Sequence, residues 1–327
     1  MADTILIQPV ESPVICKPYY EPTHYWEYNR DTGRAEKVLG RRPASYWYKI
    51  QDAGSSNQLM IELEEDRREI EIVNKLRIDV KRWHDSNWEG ATNVTKDLLR
   101  HWWRKDRGRR LFFCQLEAVE TVIFLNEIRG KRIDGSRGKP RWSPEFKDSD
   151  FETLLDQPLN TDAQPLSRMA CKMATGSGKT VVMAMLIAWS FCNRARVPSD
   201  IRFPNAALIC CPNLTIKERL QVLKPDNVGE DYYTQFDIIP PQYRDLIRGG
   251  KVLITNWHFF APESEQSENG SSYRVVNKGT ETADAFTKKR LGALSEMGQI
   301  LVFNDEAHHA YRPKFNSDEI ESILTGA

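Results

Sequence analysis

Met173-Ala174-Thr175-Gly176-Ser177-Gly178-Lys179-Thr180 decides how this chain is read. A short apolar run at 169–173 leads into it, and a helix-like run at 181–191 follows. That is the strand–loop–helix setting in which a Gly-rich loop binds phosphate. Gly176 and Gly178 let the backbone turn tightly and bring successive N–H groups towards one anion. The following helix points its N-terminus, the positive end of its dipole, at the same place. Thr175, Gly176, Ser177, Gly178, Lys179 and Thr180 are therefore the expected nucleotide-binding residues. Lys179 reaches the β- and γ-phosphates, and the Thr180 hydroxyl sits on Mg2+.

A second signal supports the first. Asp305-Glu306-Ala307-His308 lies 126 residues beyond Lys179 (305 − 179) and directly follows the apolar run Ile300-Leu301-Val302-Phe303. An acidic pair at the end of a buried strand is what a Mg2+-and-water site requires. Asp305 holds the ion, usually through a water, because Mg2+ sheds its waters reluctantly. Glu306 polarises the attacking water as general base.

The chain has 327 residues, long enough for about two domains, and its mean hydropathy of −0.57 is that of a soluble globular protein. No apolar stretch has bilayer-spanning length, and the N-terminus lacks a secretory pattern, so a cytoplasmic location is expected. Six scattered cysteines, none in C-x-x-C spacing, read as buried free thiols in a reducing compartment. Formal net charge is zero. Between Arg100 and Lys147, however, thirteen basic residues face six acids, with Trp102, Trp103 and Trp142 interleaved. Such a segment suits a phosphate backbone with base stacking. It equally suits a solvated face with tryptophans in the core.

Residues 1–55 are rich in Pro, Tyr and Trp and read as irregular structure with short strands. Residues 51–57 resemble a linker. Apolar spacing over 59–83 predicts one or two charged amphipathic helices, with Ile78 on the apolar face. Thr95 is the expected cap of a second helix ending at Trp103, and 116–128 reads as a third. Residues 130–144 are Gly/Pro-rich and basic, hence a loop. Beyond about Arg168, apolar runs at 169–173, 206–211, 252–255 and 300–303 alternate with helical segments at 179–191, 214–223 and 283–297. Short buried strands alternating with helices indicate a parallel α/β sheet. The polar stretch 263–281 reads as an exposed loop.

Taken together, Phe112-Phe113-Cys114-Gln115-Leu116-Glu117-Ala118, the loop at 173–180, Cys211-Pro212-Asn213-Leu214-Thr215, Thr255-Asn256-Trp257 and Asn304-Asp305-Glu306-Ala307-His308-His309 resemble the first motor domain of superfamily 2 DEAD/DEAH-box helicases. The nearest resemblance is to the Res (helicase/restriction) subunits of type III restriction enzymes. The resemblance implies an α/β, RecA-like P-loop NTPase domain over residues 101–327, preceded at 1–100 by a mixed, largely helical extension. It implies ATP and Mg2+ as ligands, double-stranded DNA as substrate and a modification (methyltransferase) subunit as partner. Gln115 matches the Q motif, whose amide donates and accepts at once and can pair with the N6 and N7 edge of adenine; Phe112 or Phe113 can stack on that base. His308 matches the residue that senses the γ-phosphate, and His309 packs or caps locally.

Asn213 and Thr215 follow a strand and start a helix. On residues alone, one of them is an ordinary N-cap. The resemblance adds DNA-backbone binding at Asn213, Thr215 and, similarly, Thr255. Asp134 with Glu145-Phe146-Lys147 imitates a nuclease pattern, but in a Pro/Gly-rich loop without an apolar strand to hold it. No Ser-Ala-Thr motif, second motor domain or nuclease domain follows the acidic pair. The expectation is a motor fragment that hydrolyses ATP very slowly alone. The competing expectations are another class of P-loop ATPase, a protein that binds ATP or DNA without turnover, and a related helicase acting on RNA.

Overall fold

The computed structural model describes residues 10, 12–29, 32–49, 65–132, 134–154, 168–227, 229–260 and 283–306. The chain divides into two compact units, Met1–Val182 and Met183–Ala327. The expected linker at 51–57 and the loop at 263–281 lie outside the described residues, as does His308.

The first unit opens with two antiparallel ribbons. β1 (His24–Tyr28) pairs with β2 (Ala35–Leu39), and β3 (Ser45–Lys49) pairs with β4 (Glu65–Glu69). β4 reads Glu-Asp-Arg-Arg-Glu, with no apolar alternation, and corrects the expectation of helix there. Its ladder to β3 imposes the strand. α1 (Glu71–Asp85) follows and buries Leu76, Val80 and Trp83, whereas Ile78 faces outward. α2 (Asn93–Trp103) is capped by Thr92, whose hydroxyl accepts from the Thr95 N–H at 3.1 Å. The cap is therefore one turn earlier than Thr95. α3 (Phe113–Ile123) buries Leu116, Val119 and Ile123 and runs into a π-helical turn, Phe124–Ile128. Trp83, Leu98, Trp102 and Phe124 complete this helical core.

The second unit is a three-stranded parallel sheet in the order β6-β5-β7, with β5 (Ala206–Cys211) central, β6 (Lys251–Asn256) and β7 (Leu301–Asn304). β5 is buried almost throughout, as a central parallel strand must be. α4 (Lys179–Arg196) crosses the division between the units and buries Ala184, Met185, Ile187 and Phe191 completely. A Cβ on Gly250, just before β6, would stand 2.0 Å from the Phe191 ring, so only glycine fits there. α5 (Leu214–Arg219), the single-turn α6 (Tyr232–Gln235) and α7 (Ala283–Leu291) complete the unit. Leu294, Leu291 and Met297 pack with Ala206 and Leu208.

One expected strand is not formed. Residues 169–173 are irregular, and Met169 is 40% exposed. Apolar composition alone does not make a strand where no ladder partner fixes it. Cys114 and Cys171 are likewise exposed rather than buried. Among the described residues no helix is long and apolar enough to cross a membrane.

Candidate functional site

The Gly-rich loop is built by local hydrogen bonds. The Ser177 N–H and Ser177 Oγ both donate to the Ala174 carbonyl, at 3.2 and 2.6 Å. Gly176 and Gly178 have φ of 79° and 80°, backbone that favours glycine. α4 begins at Lys179, so Lys179 and Thr180 occupy its first turn. The first N–H groups of a helix have no partner within it, and they carry the positive end of the dipole.

Gln115 lies against this loop and is only 5% exposed. Its Oε1 accepts from the Phe112 N–H at 2.8 Å, capping α3, and its Nε2 donates to the Ser177 carbonyl at 2.9 Å. A Cβ on Gly178 would stand 2.2 Å from that Nε2. Gln115 therefore ties the start of α3 to the loop and leaves no room for a side chain at Gly178. Both polar ends of its amide are engaged within the protein.

In the second unit, three segments meet at one edge because the sheet is parallel. Cys210 is level with Thr255 in β6 and with Asn304 in β7. The residues following the three strands therefore emerge together, at the carboxyl end where open α/β sheets bind ligands. Asp305 continues the ladder by one bond, its N–H donating to the Cys210 carbonyl at 2.9 Å. Burial and then the nearby Asp305 charge push the Cys211 thiol above its ordinary pKa. Glu306 has φ of 54°, a left-handed conformation uncommon outside glycine, and such backbone clusters at functional sites.

Asn213 is the N-cap of α5, its Oδ1 accepting from the Ile216 N–H at 2.9 Å. Thr215 is exposed, and Leu214 is 64% exposed. Thr255 is buried within β6, and its hydroxyl faces the Asn256 carbonyl at 3.5 Å.

The basic segment is largely consumed by the fold. Arg129, 1% exposed, donates to the Gly138 and Phe146 carbonyls and pairs with Asp148 at 2.7 Å. Asp79 on α1 is fully buried and accepts from the Glu145 and Phe146 N–H groups, pinning the same loop. Trp102 is in the core, and the Trp103 indole donates to buried Glu120 at 3.0 Å. Trp88 and His84 meet the same Glu120 oxygen at 2.6 and 2.8 Å. Burial lowers the His84 pKa, but the Glu120 hydrogen bond and charge outweigh it, and the net shift is upward. Asp134 is held in a turn by Ser136, and Glu145 pairs with Arg82. Nothing local in the sequence announces these contacts, which join α1, α2 and α3.

A family model described as type III restriction enzyme, res subunit, matches residues 111–325, more than half the chain and every motif named above. No curated protein and no solved structure matches the chain. The matched domain is RecA-like, a helicase-like ATP-dependent motor domain of a restriction enzyme, and implies nucleotide and usually Mg2+ use. The chain belongs to the type III restriction enzyme res-subunit family.

Proposed function

We propose that this chain is the ATP-binding motor of a DNA helicase or translocase of the type III restriction kind, working with a modification methyltransferase subunit in the cytoplasm. The observation that carries the proposal is the Gly-rich loop with Gly176 and Gly178 at positive φ, running directly into α4, whose first two residues are Lys179 and Thr180. Thr175, Gly176, Ser177 and Gly178 supply the backbone cradle, and Lys179 supplies a charge to the β- and γ-phosphates. Thr180 offers a hydroxyl and Asp305 a carboxylate, hard oxygen donors of the kind Mg2+ takes. The bound ion neutralises phosphate charge during transfer.

Glu306 orients the attacking water and accepts its proton, and the strained backbone at this residue supports that role. His308 reports the γ-phosphate to the nucleic-acid side. For Gln115 to read an adenine edge, it exchanges one of its two protein hydrogen bonds for the base. Asn213 and Thr215 at the exposed start of α5 meet the DNA backbone without reading sequence, as a moving motor requires. Thr255, near the end of β6, is the third candidate for a backbone contact and the most buried of the three.

The test is steady-state phosphate release with and without duplex DNA. Basal release by this chain should be very slow and little changed by DNA, and Glu306→Gln should lower it further towards the uncatalysed background while ATP binding persists. Equal release by the two proteins contradicts the assignment.

A further inference from the structure

We infer that the basic hairpin at residues 131–141, in the first unit, is a further contact for duplex DNA, one that takes hold of the phosphate backbone. This rests on the reading of the chain as a DNA motor. Five basic residues and one acid fall within this short stretch, in a chain whose 46 basic and 46 acidic residues balance. Charge concentrated in this way attracts an anionic polymer although the chain as a whole is neutral.

The hairpin is held in shape by its own backbone. Lys131 and Arg137 form an antiparallel bridge. The Arg132 N–H donates to the Ser136 carbonyl at 2.7 Å, and the Gly138 N–H to the Gly130 carbonyl at 3.0 Å. At the tip, the Asp134 carboxylate accepts from the Ser136 N–H and hydroxyl at 2.9 and 2.7 Å, and Gly135 takes φ of 82°. The base is packed closely on the π-helical turn. A Cβ on Gly130 would stand 2.1 Å from the Asn126 carbonyl oxygen, and one on Gly138 2.0 Å from that of Ile128. Arg129 holds the Gly138 carbonyl, and the Arg137 guanidinium lies 3.5 Å from the centre of the Phe151 ring. These two arginines serve the fold and leave the other cations at the surface.

Among the described residues of the hairpin, the exposed side chains are Lys131, Arg132, Asp134, Ser136, Lys139 and Arg141. None is apolar, so this surface lacks the buried anchor on which a protein partner depends. Arg141 pairs with Glu89 at 2.7 Å, but the two side chains are 84% and 37% exposed. Such a surface pair contributes little and yields readily to phosphate. Lysines and arginines on a preformed loop meet phosphate oxygens at little ordering cost, and they position a duplex without reading its sequence.

The experiment measures binding of a duplex of arbitrary sequence to the 327-residue chain over a range of salt concentrations. One variant combines Lys131→Gln, Arg132→Gln and Lys139→Gln. A control removes the same charge at exposed positions outside the hairpin, with Arg34→Gln, Lys37→Gln and Arg244→Gln. The hairpin variant is expected to bind more weakly and to reduce the slope of log affinity against log salt by about 2–3, roughly 0.9 for each phosphate contact removed. The control is expected to keep the slope of the unmodified chain, and both variants its Mg-ATP affinity. Equal slopes for the two variants overturn the hairpin and leave the motor reading in place. Loss of ATP affinity together with DNA affinity in the hairpin variant also overturns it, since the hairpin then only braces α3. Polyglutamate that displaces the duplex as well as unlabelled DNA does overturns DNA as the occupant and assigns the surface to an acidic protein. Failure of the unmodified chain to bind duplex at any salt concentration overturns the DNA-motor reading, and the hairpin with it.

Discussion

The basic segment between Arg100 and Lys147 and the C-terminal edge of the three-stranded sheet use their polar side chains in opposite ways. The first carries most of the charge that suggests nucleic acid, yet its central arginine and its tryptophans turn inward. Arg129 satisfies loop carbonyls, and Trp103 serves the buried carboxylate of Glu120. The sheet edge carries little charge, but it brings Asn256 and Asp305 to the end of β5, two residues before Asn213, and leaves Thr215 in solvent. The difference shows that burial, rather than charge density, decides whether a polar group serves the fold or a ligand. Arg129 is 1% exposed, and its two terminal nitrogens are held by loop carbonyls and Asp148, so its charge does not face a phosphate in solvent.

The largest expected effect breaks the comparison at its buried end. Arg129→Ala removes the donors of the Gly138 and Phe146 carbonyls and the partner of Asp148. A loss of about 3 kcal/mol in unfolding free energy is expected, because the Gly138 and Phe146 carbonyls are left without their donor, whereas half-exposed Asp148 regains water. Urea unfolding measures it. A change within error would mean that the loop repacks and that Arg129 is available to a ligand.

Glu120→Gln comes next. An acceptor remains for Trp88 and Trp103, but the charge-assisted bonds are lost, at about 1–2 kcal/mol. The sign of the pH effect is fixed by His84. Its pKa is raised in the folded chain, so its contribution is fully present below the ordinary value of about 6.5 and disappears as pH rises through the folded value. Unfolding free energies at pH 6 and pH 9 should show this slope in the unmodified chain and a flatter one in Glu120→Gln. Parallel slopes would mean that another group carries the pH dependence.

The Gly-rich loop and much of the second unit were legible because their signals are local. The glycines of the loop, the apolar runs of β5, β6 and β7, and the acids after β7 each lie within a few residues. What was illegible depended on distant partners. β4 is a strand because β3 pairs with it, although Glu65–Glu69 is charged throughout. The run at 169–173 is apolar enough for a strand and still irregular. Thr92 and Thr95 are both plausible caps, and only the backbone shows that Thr92 accepts and Thr95 donates. At the site, the chemistry of Gln115 could be read from its side chain. Its engagement with Ser177, 62 residues away, could not.

The smallest effect belongs to the exposed end. Asn213→Ala removes the α5 cap and should destabilise the chain by about 1 kcal/mol. It should also weaken duplex DNA binding a few-fold and about equally for unrelated sequences, as a backbone contact does. Loss confined to one DNA sequence would assign base reading to this edge instead.

The central claim, that residues 173–180 hold the phosphates of ATP, is tested most directly by calorimetry of Mg-ATP binding to the unmodified chain and to Lys179→Ala. The substitution leaves the Gly176 and Gly178 backbone intact and removes one positive charge from the first turn of α4. The account predicts a fall in affinity of about tenfold or more, equivalent to about 1.4 kcal/mol or above. Equal affinities for the two proteins would contradict it.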